Sequence, residues 1–213
     1  MTGKQAITYF RPQTVAIKPG YQMNAGKIII ITAPSGAGKT SITRYLLEQY
    51  PRLSFSISAA TRECRYNEVN GKDYYFLSEN EFQEKIANNE FVEWEMVYEG
   101  KYYGTLKSEL ERMWKIGKVP VLDIDVKGAI HVQRQYPGHC LSIFIQAPNV
   151  DELRKRLESR GTETPESLAT RLNKAAYEMS FKDSFNAIIV NDVLEQAQEK
   201  AKKLVEKFLI SDL

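Results

Sequence analysis

Between Ala33 and Thr40 the chain reads Ala-Pro-Ser-Gly-Ala-Gly-Lys-Thr, a glycine-containing turn closed by a lysine and a hydroxyl residue. Such a turn can direct successive backbone N–H groups inward around an anion. The lysine then reaches the β- and γ-phosphates of a nucleoside triphosphate, and the threonine hydroxyl serves Mg²⁺. The usual phosphate-loop pattern opens with glycine. Ala33 stands there instead, while Gly36 and Gly38 preserve the turn's conformational freedom. An apolar strand-like run, Lys27–Thr32, precedes the turn, and a helical run, Lys39–Gln49, follows it. The loop therefore opens a helix, whose N-terminal partial positive charge favours phosphate. Residues Ala33, Pro34, Ser35, Gly36, Ala37, Gly38, Lys39 and Thr40 are the expected ATP-binding segment. A plain Gly/Ser turn is the alternative, but it has no use for the lysine. The loop indicates a triphosphate and leaves the acceptor open.

Other chemistries find little support. The only histidines, His131 and His139, lie in no HExxH or His/Cys cluster, which argues against a zinc site or a histidine-based triad. Cys64 and Cys140 have no metal-type spacing and read as unpaired thiols of a reducing, cytoplasmic compartment. A net charge of +2 over 213 residues gives no whole-molecule attraction to nucleic acid or an anionic membrane. No apolar run approaches the roughly 20 residues of a membrane span. The first 24 residues lack a secretory signal pattern and read as an extended tail, with Met23 a candidate alternative start.

The elements around the loop alternate. Strands are expected at Lys27–Thr32, Phe55–Ser58, Val119–Asp123, Leu141–Gln146 and Ala187–Val190. Helices are expected at Lys39–Gln49, Lys127–Tyr136, Val150–Ser159 capped by Asn149, a run opened by Thr164–Pro165, and Val193–Leu209. This alternation predicts a parallel sheet with helices on both faces. Between Ala59 and Lys118 it breaks off. A hairpin signal at Asn70–Gly71, a capping box at Ser78 and Glu81, a strand at Phe91–Tyr98 and a helix at Lys107–Ile116 suggest an inserted, partly β substrate lobe.

Within that insertion come Thr61-Arg62 and Arg65, then Glu68 to Tyr74, then Asn89 to Trp94 with Glu93. Tyr102-Tyr103-Gly104-Thr105 and Leu122-Asp123-Ile124-Asp125 follow. In this order, with the phosphate loop and the segment Arg160 to Thr164, they resemble the guanylate kinase family from about Gly26 to the C-terminus. The resemblance implies an α/β fold of the P-loop NTPase type, a three-layer α/β/α parallel sheet with an inserted GMP-binding lobe and a helical lid. It divides the chain into a tail (1–24), a core (25–58, 119–148 and 186–213), the GMP-binding lobe (59–118) and the lid (149–185).

The resemblance also implies roles. Arg62, Arg65, Tyr74 and Tyr103 would grip the acceptor phosphate, two guanidinium forks and two phenols matching a dianion. Glu93 would read guanine, whose N1–H and N2–H₂ donors face an acceptor-only carboxylate, with Ser35 and Thr105 contacting the base through hydroxyls and Asp125 nearby. On alternation alone, Glu93 and Glu95 would be the outward face of a strand. Asp123, closing a buried strand, would share Mg²⁺ with Thr40. Arg156, Arg160 and Arg171 would join Lys39 at the transferring phosphoryl, and Asn191 would lie near the adenine. The implied reaction is ATP plus GMP or dGMP to ADP plus GDP or dGDP, with Mg²⁺, without a general base, and with no nucleic-acid or membrane partner. A non-catalytic interaction module and a kinase for another nucleotide are the competing readings. The module would be expected to lack Lys39, Thr40 or Asp123.

Overall fold

The computed structural model describes residues 26–159, 161 and 164–211. The expected tail (1–24) and the expected phosphate ligand Arg160 lie outside the described residues. Five strands form a parallel sheet: β1 (Ile28–Thr32), β2 (Leu53–Phe55), β7 (Val119–Asp123), β8 (Cys140–Gln146) and β9 (Ala187–Val190), in the order β2-β7-β1-β8-β9. Central β1 is a run of four isoleucines, all fully buried, because both of its faces are covered. Ile29 and Ile31 pack with Ile42 and Leu46 of α1 (Lys39–Gln49) and with Ala197, Ala201 and Val205 of α7 (Leu194–Ile210). Ile28 and Ile30 pack on the other side with Leu110 of α3 (Lys107–Lys115) and Val126, Ala129 and Val132 of α4 (Val126–Gln135). The three layers follow from the period of two along the strand and of about 3.6 along the helices.

A second, four-stranded sheet has the order β4-β3-β6-β5, from β3 (Ala59–Ala60), β4 (Tyr75–Phe76), β5 (Phe91–Tyr98) and β6 (Lys101–Leu106). Helix α2 (Glu79–Ala87), opened by the Ser78–Glu81 capping box, lays Phe82 against Phe91 and Tyr102, with ring centroids 4.3 and 5.4 Å apart. Helices α5 (Val150–Glu158) and α6 (Pro165–Met179) pack together through Leu153, Leu157 and Ala175. Asn149 and Thr164 cap them as the sequence suggests. No helix among the described residues is long and apolar enough to cross a membrane.

Three local expectations change. The second strand is Leu53–Phe55 rather than Phe55–Ser58. Leu53 anchors it in the core, and Ser56–Ser58 carries the chain out of one sheet towards the other, with the Ser58 carbonyl accepting from Tyr75 N–H. Asn70–Gly71 makes a turn but no hairpin. Asn70 Oδ1 and Asp73 Oδ2 accept local backbone N–H groups, Gly71 takes φ +79°, and the strand that follows pairs in parallel with β3. Side-chain bonds there satisfy a backbone that a ladder would otherwise have to satisfy. Strand β6 was not expected, because Gly104 interrupts its pattern. A Cβ at that position would stand 2.7 Å from the Glu93 carbonyl oxygen, so glycine permits the close pairing with β5.

Candidate active site

The loop from Ala33 to Gly38 leaves the end of β1 and enters α1 with Gly36 at φ +91° and Gly38 at φ +98°, a left-handed region that only glycine adopts freely. Ala33 takes no such conformation, which explains why alanine is tolerated at the first position. Pro34 and Ala37 are buried, and the Pro34 carbonyl accepts from Ala37 N–H. No side chain caps α1, so its first N–H groups face the loop's concavity and suit an anion. Lys39, in the first turn, pairs with Asp123 at the end of β7, and Thr40 beside it is exposed. Asn191 is buried behind the loop. Its Nδ2 donates to the Ala37 carbonyl at 2.8 Å, and its own carbonyl accepts from Arg156 at 2.9 Å.

Helices α5 and α6 border this loop. Leu153 and Leu157 approach Gly36 so closely that a Cβ there would be 3.1 Å from each. Arg156 Nε also donates to Glu152 at 3.0 Å, so this arginine is held along α5 and against Asn191. Arg171, on α6, donates to Ser35 Oγ at 3.0 Å, which brings a guanidinium onto the loop itself. Arg154 and Lys155 are exposed on α5.

Next to the loop a cleft of about 220 Å³ opens between the two sheets, lined by Ser58, Tyr74, Glu93, Glu95, Tyr103, Asp123, Asp125 and Lys174 among others. Tyr74 and Tyr103 meet edge to face, with centroids 6.2 Å apart. Arg62 lies over the Tyr74 ring at 4.7 Å and donates both terminal nitrogens to Glu68, at 2.6 and 2.5 Å. That bidentate bond raises the guanidinium's proton affinity further and holds the Glu68 carboxyl well down, to about 2. The backbone N–H of Arg65 donates to the same carboxylate, so Glu68 ties both arginine positions to one point. The Arg65 side chain is exposed.

Glu93 and Thr105 form one rung of the β5–β6 pair, and the Thr105 hydroxyl donates to Glu93 Oε1 at 2.6 Å. Only 9% of Glu93 is exposed. Burial pushes its carboxyl up to about 7, the Thr105 bond opposing and the Asp125 charge adding to the rise. The other oxygen, Oε2, lies over the first turn of α4, where a Cβ on Gly128 would come within 2.9 Å. Asp125 caps that helix by accepting from Gly128 N–H at 2.7 Å.

The structure thus gathers Lys39, Thr40, Asp123, Ser35, Arg171 and the loop on one side, and Tyr74, Tyr103, Glu93, Thr105 and Asp125 on the other. Asp123 belongs to both groups. Arg62 sits at the cleft's edge with its charge engaged by Glu68, and Arg156 and Asn191 lie behind the loop. The outward-face reading of Glu93 and Glu95 does not hold, since both line the cleft, and Lys174 and Glu178 had no expectation attached. Glu95 lines the cleft, raised by burial and by Asp125, and its i+2 position from Glu93 was the available signal. Lys174, three residues after Arg171 and so on the same face of α6, lines it too. Glu178 is buried on α6, its carboxyl raised by burial. Among the described residues no cluster of His, Cys, Asp or Glu makes a self-contained metal site. The arrangement can hold a phosphate chain against a helix N-terminus and a second anionic ligand beside a buried carboxyl group.

The profile of the family described as guanylate kinase matches residues 25–208. A guanylate kinase of Bacteroides fragilis is 47% identical over 196 residues, covering 92% of this chain and 96% of that protein. The guanylate kinase of Salinibacter ruber is 46% identical over 184 residues, covering 86% of this chain and 97% of that protein. The crystal structure of guanylate kinase from Anaplasma phagocytophilum superposes with a TM-score of 0.68 at 30% identity, covering 89% of each chain.

Proposed function

The chain belongs to the guanylate kinase family, and on that premise we propose how its residues divide the work of phosphorylating GMP with ATP. The enzyme transfers the γ-phosphoryl of ATP to a phosphate oxygen of GMP, giving ADP and GDP. The observation that carries the residue assignment is the position of Asp123. It pairs with the loop lysine Lys39 and also lines the cleft that holds Glu93, so the two substrate sites adjoin at one carboxylate.

The loop N–H groups and Lys39 bind the ATP phosphates, and Asn191 holds the loop from behind through Ala37. Arg171, on the loop, neutralises charge on the transferring group, and Arg156, held behind the loop, and Arg160 join it by family position. Arg62, Arg65, Tyr74 and Tyr103 take the GMP phosphate, with Arg62 exchanging its bond to Glu68 for one to the ligand. Glu93 accepts from guanine N1–H and N2–H₂, with Ser35 and Thr105 as hydroxyl partners and Asp125 beside them. The acceptor oxygen is already anionic, so no base is needed, and positioning supplies most of the rate. Residues 59–118 act as the acceptor lobe and 149–185 as the lid, over a core formed by 25–58, 119–148 and 186–213. The free thiols of Cys64 and Cys140 accord with a cytoplasmic location.

The hydroxyl of Thr40, next in the chain to Lys39, and the carboxylate of Asp123, which Lys39 pairs with, are hard oxygen donors of the kind that fits Mg²⁺. Held by Thr40 and Asp123, that ion would supply positive charge to offset the phosphates. Asp123 would then release Lys39 to the phosphates. The assignment is tested by ADP release with ATP and, in turn, GMP, AMP, dTMP and UMP. GMP should be the fastest acceptor, and faster turnover of AMP would overturn the role of Glu93.

A further inference from the structure

Glu95 follows Glu93 by two residues on β5, so the pleat turns both carboxyl groups to the same face of the second sheet. The strand register sets Glu93 opposite Thr105 and Glu95 opposite Tyr103, and all but Thr105 line the cleft. On the reading given above, the first rung takes the guanine edge, while Tyr103 on the second takes the phosphate. Rungs two residues apart are separated by about 7 Å, a distance that the sugar of a nucleotide has to bridge. Glu95 therefore faces the part of the acceptor that the family positions leave unassigned.

Charge narrows what Glu95 can meet. Glu95 and Asp125 share a hydrogen bond, and the pair still carries negative charge between them; a phosphate or the guanine carbonyl would be repelled, whereas a ribose offers neutral hydroxyl donors to the remaining carboxyl oxygens. Asp125 stands beside Glu95 and faces the same cavity. Among the described ion pairs none involves Glu95. Lys174, across the cavity, has its ammonium 3.9 Å from Glu178. The carboxyl group is thus half-buried in a substrate cleft and is not tied up by a cationic side chain.

We propose that Glu95, assisted by Asp125, accepts hydrogen bonds from the ribose hydroxyls of the acceptor and so sets a preference for GMP over dGMP. This rests on the reading of the cleft as the GMP site. Asp125 is committed through Oδ1 to the first turn of α4, which fixes its place, and it shares a side-chain hydrogen bond with Glu95, so the two carboxyl groups act as one unit. Glu95 sits on a strand paired along most of its length, so its reach is also set by the scaffold. A site built to hydrogen-bond a substrate hydroxyl disfavours the analogue lacking it, because the buried acceptor is then left without its donor.

The test is kcat/KM for GMP and for dGMP, with ATP saturating, in the full chain and in Glu95→Ala and Glu95→Gln. The wild type should favour GMP by about tenfold or more. Glu95→Ala should bring the two acceptors to within about threefold, and Glu95→Gln, which keeps one acceptor oxygen at nearly the same shape, should fall between them. KM for ATP should stay near its wild-type value, which a generally disordered site would not allow. A GMP/dGMP ratio unchanged in both variants overturns the proposal, as does a wild type that uses the two acceptors equally. A wild type that turns over neither would instead remove the reading of the cleft, and the proposal with it.

Discussion

Lys39 and Asp123 neutralise each other across the gap between the first turn of α1 and the end of β7. Each side chain is about a quarter exposed, 25% and 28% respectively, so the pair is neither deeply buried nor freely hydrated. Such a pair costs little to open and can be replaced when phosphate charge and a metal ion arrive together.

The first prediction follows from that pair. Lys39→Ala should lower turnover by at least about 10²-fold, since on the proposed assignment it removes a donor to the transferring phosphoryl. GMP affinity, read by calorimetry, should change by less than about threefold, because the one cleft residue paired with the lysine, Asp123, is not among the residues proposed to hold GMP. Retained turnover would take the loop lysine out of the mechanism.

The second concerns Glu93 and pH. On the proposed assignment Glu93 accepts from guanine donors and must be ionised to do so, and burial has moved its carboxyl up to about 7. KM for GMP should therefore rise as pH falls below about 7, and Glu93→Gln should weaken GMP binding while flattening that rise. The same shift acts on stability. The folded chain holds this proton more tightly than the unfolded chain, whose value is 4.5, so stability falls as pH rises from about 4.5 to about 7. Glu93→Gln should lose that decline, worth about 3 kcal/mol. Denaturant titrations at pH 5 and pH 8 check the stability half independently of the kinetics.

A third prediction concerns Gly38. A Cβ there would stand 2.1 Å from Asn191 Nδ2, and φ is +98°. Gly38→Ala should destabilise the fold by about 1–3 kcal/mol from the backbone alone, and more because the buried Asn191 must move off the Ala37 carbonyl. Adding Asn191→Ala removes the clash but not the backbone cost. The double variant should thus lie well short of the sum of the two single losses, as measured by thermal unfolding. Strict additivity would show that Asn191 does not confine the loop.

The parts of this site written in consecutive residues were legible in advance. The loop announces itself through Gly36, Gly38, Lys39 and Thr40, and Phe91–Tyr98 and Ala187–Val190 show themselves as strands by their apolar and β-branched content. The parts that depend on which surface a side chain meets were not legible. Arg62 and Glu68 are six residues apart in an aperiodic loop, and nothing local says that they pair. Strand β6 was obscured by Gly104, whose reason lies across the sheet at the Glu93 carbonyl. Lys174 and Glu178 read as ordinary helix charges until α6 is placed against the cleft. Ser56–Ser58 looked like strand because its neighbour Phe55 is apolar, although Phe55 is 43% exposed and Leu53 makes the core contact.

The last prediction concerns Glu109, which links the second sheet to the core. Its side chain is fully buried on the first turn of α3, where the chain returns from the second sheet. It accepts from Arg112 through both oxygens at 2.8 Å, from Tyr75 Oη at 2.8 Å and from the Ile57 N–H at 3.3 Å. Ile57 lies where the chain leaves the core, and Tyr75 adjoins the cleft residue Tyr74. Burial opposes the charge, but these three partners outweigh it and hold the carboxyl below its usual range. Glu109→Ala should cost about 2–4 kcal/mol, somewhat under the value for a wholly buried pair because Arg112 is 48% exposed and can turn to water. Glu109→Gln keeps an acceptor for Tyr75 and should cost about 1 kcal/mol. The folded carboxyl lies below its unfolded value of 4.5, so the charged network's contribution is present above about pH 4.5 and lost as pH falls further. The gap between wild type and Glu109→Gln in urea should accordingly close in acid. The kinetic consequence is one-sided: a loosened Tyr75 lets Tyr74 drift, so KM for GMP should rise while KM for ATP stays near its wild-type value. Equal rises in both constants would mean that Glu109 supports the whole fold rather than the seating of one sheet on the other.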